Sequence, residues 1–310
     1  MYIGIDIGGT KCAVVKGRKK ENGEMEIIEK IRFETLDFST TLGKIFDAVE
    51  ALMPCDKIGI SCGGPLDEAS GVILSPPNLP GWDEVHITEM LEERFKVPAR
   101  LCNDANACAL AEWKFGAGRG CENMVFMTFG TGLGAGLILN GRLYSGTNGM
   151  AGEAGHIRLE KSGPIGYGKA GSFEGFCSGA GIAKLAKEYA KSALERGSVA
   201  FSCKNEDEID KITTKMIADL AKSGDEDALK IFDESAKRLG MGLSIVIDIL
   251  NPERIVLGGI YTRCEELFID GMNEVLSRET LLPSLEACKI LPAVLGESIG
   301  DISALAVADL

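Results

Sequence analysis

Six consecutive residues near the start of the chain, DIGGTK at 6–11, combine a carboxylate, two glycines, a hydroxyl and a cation. Glycine lets the backbone approach a ligand closely, and the N–H groups of a glycine turn bind phosphate oxygens. An aspartate beside such a turn is able to hold Mg²⁺ and its waters. The segment is typical of a phosphate site, with a hairpin turn beside an incidental aspartate as the alternative.

The segment FGTGLGAG at 129–136 repeats this arrangement, with Thr131 as the hydroxyl donor. Two such turns are able to face each other across a cleft and hold the phosphates of a nucleotide between them. Neither turn matches the P-loop or the glycine pattern that opens a dinucleotide-binding helix. VLGGI at 256–260 adds a third glycine pair, which suits close approach to an adenosine. For each turn alone, tight packing is the alternative.

Polar residues on further loops suit the binding of a polyol. The segment NDANA places Asn103 and Asp104 where a strand gives way to a helix, and an aspartate there also serves as an ordinary helix N-cap. Glycine-supported loops at 76–82 and 152–156, together with Glu174, add groups that fix hydroxyls.

The secondary-structure elements predicted around these residues indicate an α/β protein. Short apolar runs precede each glycine turn, and segments with helical spacing lie between them, so strands and helices alternate in the first half. Asn22-Gly23 predicts a second hairpin. We place a domain change near residue 115, and expect the last helix, at about 298–310, to pack back on the first domain.

Composition limits the class of protein. The 310 residues are 45% hydrophobic, which is enough to fill two cores. A net charge of −13, from 46 acidic and 33 basic residues, repels polyanions and argues against nucleic acid as a partner. We find no membrane span or signal peptide, and expect a cytoplasmic protein without a membrane partner. The ten cysteines include no C-x-x-C pair and predict reduced, buried thiols.

Five segments resemble, in their order and spacing, the motifs of the ROK family of sugar kinases, within the actin/hexokinase superfamily. They are DIGGTK, PNLPGW, NDANA, GTGLGAG and GEAGH. The resemblance covers essentially the whole chain. It implies an α/β fold of two actin-like (ribonuclease H-like) domains flanking a deep cleft. The domains would be residues 1–115 and a larger 116–297. It also implies phosphorylation of a hexose by ATP with Mg²⁺, and a homodimer or homotetramer.

The resemblance also assigns residues by position. Asp104 would contact the sugar and accept the hydroxyl proton, and Asp6 would bind Mg²⁺ through water. The other residues that would hold the sugar are Gly64, Asn78, Asn103, Glu153, His156 and Glu174. Those lining the phosphates would be Gly8, Gly9, Thr10, Lys11, Thr131 and Gly132, while Gly258 and Gly259 lie in the segment that suits an adenosine.

One loop departs from the family pattern. The family binds zinc with a histidine and three cysteines. When the loop is aligned on Glu174, the three cysteine positions are occupied here by Ile165, Tyr167 and Ser172. None of these replaces a thiolate in a tetrahedral site, so we expect no structural zinc. We expect His156 to keep its sugar contact, with a hydrogen bond orienting its ring in place of zinc. A structural role for His156 is the alternative.

Glucose, at its 6-hydroxyl, is the expected substrate, with an N-acetylhexosamine, fructose or a β-glucoside as alternatives. A sugar-responsive transcription regulator without kinase activity is the alternative from another class. Regulators of the family carry a preceding DNA-binding domain, whereas Asp6 follows the first methionine closely. An inactive sugar-binding module is disfavoured because Asp6, Lys11 and Asp104 are all present.

Overall fold

The computed structural model describes all residues from Met1 to Leu310. The chain forms two compact units. Unit 1 comprises Met1–Phe126, Gly136–Gly152 and Ala293–Leu310, and unit 2 comprises Met127–Ala135 and Glu153–Pro292. Residue 115, where the sequence suggested the domain change, lies inside unit 1. No helix is long and apolar enough to cross a membrane.

Fourteen strands form in the chain. In order they are β1 Tyr2–Ile7, β2 Lys11–Lys19, β3 Met25–Glu34, β4 Lys57–Cys62, β5 Leu66–Asp67, β6 Val72–Ile73, β7 Ala99–Asn103, β8 Met124–Met127, β9 Ala135–Leu139, β10 Arg142–Leu143, β11 Ile165–Gly166, β12 Lys169–Ala170, β13 Arg254–Leu257 and β14 Lys289–Pro292.

Eleven α-helices accompany them. In order they are α1 Phe38–Leu52, α2 Ile87–Phe95, α3 Asp104–Phe115, α4 Phe173–Phe176, α5 Gly179–Glu195, α6 Glu206–Ile209, α7 Thr214–Lys222, α8 Glu226–Leu250, α9 Ile260–Glu279, α10 Leu282–Ala287 and α11 Ile299–Ala308. Short 3₁₀ turns form at Ala154–His156 and Gly296–Ser298.

A five-stranded sheet with the order β3-β2-β1-β4-β7 organises unit 1. β1, β4 and β7 run parallel, in a register that pairs Ile7 with Cys62 and Cys62 with Asn103. Their carboxyl ends therefore meet at one edge of the sheet, which is where open α/β sheets bind ligands. The residues that follow these strand ends include Gly8–Lys11, Gly64 and Asp104, the first residue of α3.

Glycines allow the last helix to lie directly on this sheet. A Cβ on Gly4 of β1 would stand 2.8 Å from the backbone nitrogen of Leu305, and one on Gly59 of β4 would collide with Ala304. α11 is buried along nearly its whole length and belongs to unit 1. Its first turn consequently reaches the edge of the sheet that carries Asp6, as the 2.9 Å between the Gly300 Cβ position and an Asp6 oxygen indicates. β10, β9 and β8 pair in that order, and most of their residues belong to unit 1.

Unit 2 is mainly helical. α8 and α9 pack closely, and the absence of a side chain at Gly240 permits this. A Cβ there would stand 2.7 Å from the carbonyl oxygen of Met272. The parallel pair β13 and β14 lies in this unit, as does the two-stranded hairpin of β11 and β12.

Candidate active site

The segment predicted to bind phosphate forms a tight turn between β1 and β2. The N–H of Gly8 donates to the carbonyl oxygen of Lys11 over 3.1 Å, which leaves Gly9 and Thr10 at the tip. The hydroxyl of Thr35 donates to the carbonyl oxygen of Gly8 over 2.6 Å and fixes the base of the turn. The side chain of Lys11 is exposed. The segment therefore forms a hairpin turn between β1 and β2, with a backbone tip and the cation of Lys11 open to a ligand.

Position 9 requires a glycine because its backbone packs against Asn78, another predicted site residue. A Cβ at this position would stand 2.5 Å from the carbonyl oxygen and 2.7 Å from the Cβ of Asn78. Asn78 is exposed in a loop closed by a 3.0 Å bond from the N–H of Ser75 to the carbonyl oxygen of Trp82. The structure thus brings a proposed sugar residue against the turn proposed to bind phosphate.

Asp6 lies at the end of β1 in an acidic environment. Burial raises its pKa from 3.8 to about 7, and the negative charges of Asp301 and Asp104 act in the same direction. The positive charges of Lys30 and Arg32 oppose this rise. Lys30 itself bonds Asp301 over 2.5 Å, so part of its charge is already paired. A cation near Asp6 would stabilise the ionised carboxylate.

Asn103 and Asp104 mark the junction of β7 with α3. The N-cap of α3 is Asn103, whose side-chain oxygen accepts from the N–H of Ala105 over 3.0 Å. Asp104 is the first residue of the helix, so the alternative of an ordinary N-cap applies to Asn103 instead. Oδ1 of Asp104 accepts from the same N–H over 2.8 Å.

The second carboxylate oxygen of Asp104 faces a glycine turn. Oδ2 lies 3.9 Å from the Cβ position of Gly63, and a Cβ on Gly64 would stand 3.6 Å from the side-chain nitrogen of Asn103. The carboxylate is solvent-accessible, yet the protein around it limits its hydration and raises its pKa. The N–H of Ala105 opposes that rise.

Glu68 organises this junction, and the sequence reasoning missed it. Its Oε1 accepts from the backbone N–H of Asn103 over 2.9 Å and from the side chain of Asn106 over 3.0 Å. Its Oε2 accepts from the hydroxyl of Ser145 over 2.9 Å. No local pattern around Glu68 predicts this role, because its partners are 35 to 77 positions away.

The second glycine turn lies in unit 2. Thr128 and Gly134 close it with a 2.9 Å backbone bond, and the N–H of Gly130 donates to the carbonyl oxygen of Gly132 over 3.1 Å. Thr131 is exposed at the tip. The first amide of α5, that of Gly179, donates to the carbonyl oxygen of Gly130 over 2.7 Å. The turn is therefore held from outside while its tip stays open.

Gly258 and Gly259 support that same turn. The N–H of Gly258 donates to the carbonyl oxygen of Met127 over 2.9 Å. Gly259 has a φ of +64°, and a Cβ there would collide with the carbonyl oxygen of Phe129. The close approach seen at Gly259 is therefore to the backbone of the second glycine turn, and contact with an adenosine stays a prediction.

Glu174, in α4, is bonded to the second glycine turn. Its Oε2 accepts from the N–H of Leu133 over 3.1 Å and lies 2.7 Å from the Cβ position of Gly132. Gly155 packs beside Glu174, and only a glycine fits there because a Cβ would collide with the carbonyl oxygen of Leu133. Glu153 is exposed at the start of the 3₁₀ turn that ends at His156.

His156 contacts an aromatic ring. The centroids of the His156 and Tyr167 rings are 5.1 Å apart at an interplanar angle of 82°, an edge-to-face contact where we had expected a hydrogen bond. Nζ of Lys169 donates to the carbonyl oxygen of His156 over 2.7 Å. Tyr167 and Lys169 were not among the residues that the sequence suggested for the site.

The positions aligned with the zinc-binding cysteines have other contacts. Ser172 is fully buried and caps α4, because its hydroxyl oxygen accepts from the N–H of Gly175 over 3.1 Å. Ile165 is half exposed on β11. No group of three or more His, Cys, Asp or Glu side chains is arranged to hold a metal ion. All ten cysteines are free thiols, and eight of them are buried.

Residues 2–309 match the model of the ROK family, and the chain belongs to that family. It is 31% identical to a glucokinase of Thermotoga maritima, over 98% of this chain and 96% of the relative. It is 30% identical to a xylose repressor of Caldicellulosiruptor bescii, over 75% of this chain and 57% of the repressor.

Solved structures agree on the fold. A ROK family glucokinase from Streptomyces griseus, in complex with glucose and AMPPNP, superposes with a TM-score of 0.74 at 31% identity and covers 99% of both chains. The α/β fold with two sheet-containing domains is thereby confirmed.

Proposed function

We propose that this protein is an ATP-dependent sugar kinase, which transfers the γ-phosphate of ATP to a hexose hydroxyl, with the 6-hydroxyl of glucose as the favoured acceptor. The observation that carries the proposal is the pair of carboxylates Asp6 and Asp104. Asp6 lies near the carboxyl end of β1 and Asp104 directly follows β7, so both lie at the same edge of one sheet. The charge of Asp104 raises the pKa of Asp6. Phosphoryl transfer depends mainly on positioning and charge neutralisation, and one carboxylate at the metal-bound phosphates with another at the attacking hydroxyl would provide both.

Asp104 would act as the base. Its Oδ1 is held by the N–H of Ala105, whereas Oδ2 faces Gly63, where the missing side chain leaves room for a hydroxyl group. Limited hydration raises the affinity of this carboxylate for a proton, which favours accepting the hydroxyl proton as the phosphoryl group is transferred. Glu68 would keep the junction in place by bonding the backbone of Asn103.

Asp6 fits a hydrated Mg²⁺. Mg²⁺ prefers oxygen ligands and is usually held by one or two carboxylates, substrate phosphates and waters, so a cage of three protein side chains is unnecessary. Bound with the nucleotide, Mg²⁺ would neutralise phosphate charge. The cation of Lys11 and the amides around Gly9 would hold phosphate oxygens in unit 1. The turn at Thr131 offers the same chemistry in unit 2.

In unit 2, His156, Glu174 and Glu153 would bind sugar hydroxyls. In unit 1, Asn78 and Asn103 would have the same role. The glucose and AMPPNP bound by the relative from Streptomyces griseus support a hexose and an adenine nucleotide as substrates. The similarity to a glucokinase along nearly the full length of both chains supports glucose over other hexoses.

A regulator without kinase activity is the second candidate, and the similarity to a xylose repressor favours it. Coupled ADP release separates the two, using ATP, Mg²⁺ and a panel of glucose, fructose, N-acetylhexosamines, xylose and a β-glucoside. We expect sugar-dependent ADP release, highest with glucose and absent without Mg²⁺. Binding of a sugar by calorimetry without ADP release from any member of the panel would contradict the kinase and support the regulator.

A further inference from the structure

We propose that Tyr167 is a positioning residue, which holds the imidazole of His156 in the orientation that binds a sugar hydroxyl. This inference rests on the proposed function, because it takes His156 to be a sugar ligand. The ring of Tyr167 meets that of His156 edge to face, with 5.1 Å between centroids and 82° between planes. That arrangement is an attractive one for two aromatic rings.

The backbone of Tyr167 indicates that its ring is there for a contact other than core packing. Tyr167 and Gly168 form the two-residue turn between β11 and β12, with φ angles of +42° and +75°. Positive φ at both positions is the type I′ pattern, which asparagine and glycine fill most easily and a bulky residue does not. The residue is 78% exposed, so it gains little from burial.

The backbone of His156 is fixed independently of its ring. Its N–H donates to the carbonyl oxygen of Glu153 over 3.1 Å, and its own carbonyl oxygen accepts from Nζ of Lys169 over 2.7 Å. Rotation of the side chain about its own bonds is the freedom that remains. The edge contact with Tyr167 restricts that rotation.

The hairpin of β11 and β12 is also linked to Glu174, another residue proposed to bind the sugar. The hydroxyl of Ser172 donates to the carbonyl oxygen of Gly166 over 3.4 Å, and its oxygen accepts from the N–H of Gly175. Ser172 thereby joins β11 to α4, the helix that carries Glu174. Tyr167 consequently presents its ring to His156 from an element already set relative to Glu174.

Two variants separate the ring from the turn. Tyr167→Asn removes the ring and places in the turn a residue that favours positive φ, so the variant should unfold at the same or a higher temperature than the parent. Tyr167→Phe keeps the ring and loses the hydroxyl. We expect Tyr167→Asn to raise the KM for the sugar by about 2- to 10-fold, with kcat and the KM for ATP kept. Tyr167→Phe should retain the parental KM.

A measurement that needs no activity tests the ring contact itself. The chain has two histidines, so a ¹H–¹³C spectrum of histidine-labelled protein contains two imidazoles, and His86→Gln assigns them. We expect the His156 signals to move in Tyr167→Asn and to stay near their parental positions in Tyr167→Phe, because the aromatic ring current remains.

Each result decides the proposal. His156 signals that do not respond to Tyr167→Asn would overturn the contact, and shifted signals with an unchanged sugar KM would overturn the positioning role. A parent that phosphorylates no sugar would contradict the proposed function, and with it the role toward sugar, while the spectra still report whether the two rings meet.

Discussion

Replacing Asp6 with asparagine should stabilise the metal-free protein at alkaline pH. Burial and the charges of Asp301 and Asp104 raise the pKa of Asp6 from 3.8 to about 7. The folded state therefore holds the proton more tightly than the unfolded state does. The stability that comes from this proton is fully present below pH 3.8, and it is lost as the pH rises through about 7.

The size of the effect follows from that rise. At about 1.4 kcal/mol for each pKa unit, a rise from 3.8 to about 7 corresponds to a loss of about 4 kcal/mol at high pH. Roughly 2.5 kcal/mol of this loss falls between pH 5 and pH 8. Asparagine carries no charge at either pH. The gain in unfolding free energy from Asp6→Asn should therefore be about 2.5 kcal/mol larger at pH 8 than at pH 5.

Urea unfolding in a chelating buffer at both pH values measures this difference. Both tryptophans, Trp82 and Trp113, belong to unit 1, so their fluorescence follows the unit that contains Asp6. Asp47→Asn, which also removes one carboxylate from unit 1 at an exposed position on α1, is the matched control at the same two pH values. A gain for Asp6→Asn that does not increase with pH would refute the electrostatic argument. If Asp6 serves Mg²⁺, the more stable variant should also lose phosphoryl transfer.

Three further predictions concern the site. Asp104→Asn should lower kcat by about 100-fold or more while calorimetry still detects sugar binding, because the amide cannot accept the hydroxyl proton, and activity within a few-fold of the parent would exclude Asp104 as the base. Gly9→Ala should lower the unfolding free energy by about 1–3 kcal/mol, because its Cβ would stand 2.5 Å from the Asn78 carbonyl oxygen, whereas Gly43→Ala, with nothing within 4 Å, should not destabilise α1. A zinc chelator with Mg²⁺ in excess should leave the unfolding temperature unchanged, and elemental analysis that found one zinc per chain would overturn the expectation of no structural zinc.

Several local features of this protein could be predicted from short stretches of its sequence. The glycine turn after β1, the hairpin at Asn22-Gly23 and the helix that begins at Asp104 were all predicted, and the structure contains each of them. These features depend on backbone freedom, hydrogen-bonding caps and hydrophobic periodicity, which act within a few residues. Residues that share a motif could therefore be recognised together.

Contacts between groups far apart in the sequence could not be predicted in this way, because they depend on the packing of the whole chain. Asp6 has its raised pKa partly because α11, near the other end of the chain, brings Asp301 to the same edge of the sheet. Glu68 reaches the start of α3, and Tyr167 reaches His156, through loops whose own patterns indicate neither contact. Such contacts depend on how strands and helices pack and where each side chain then points, and no short stretch of sequence encodes that geometry.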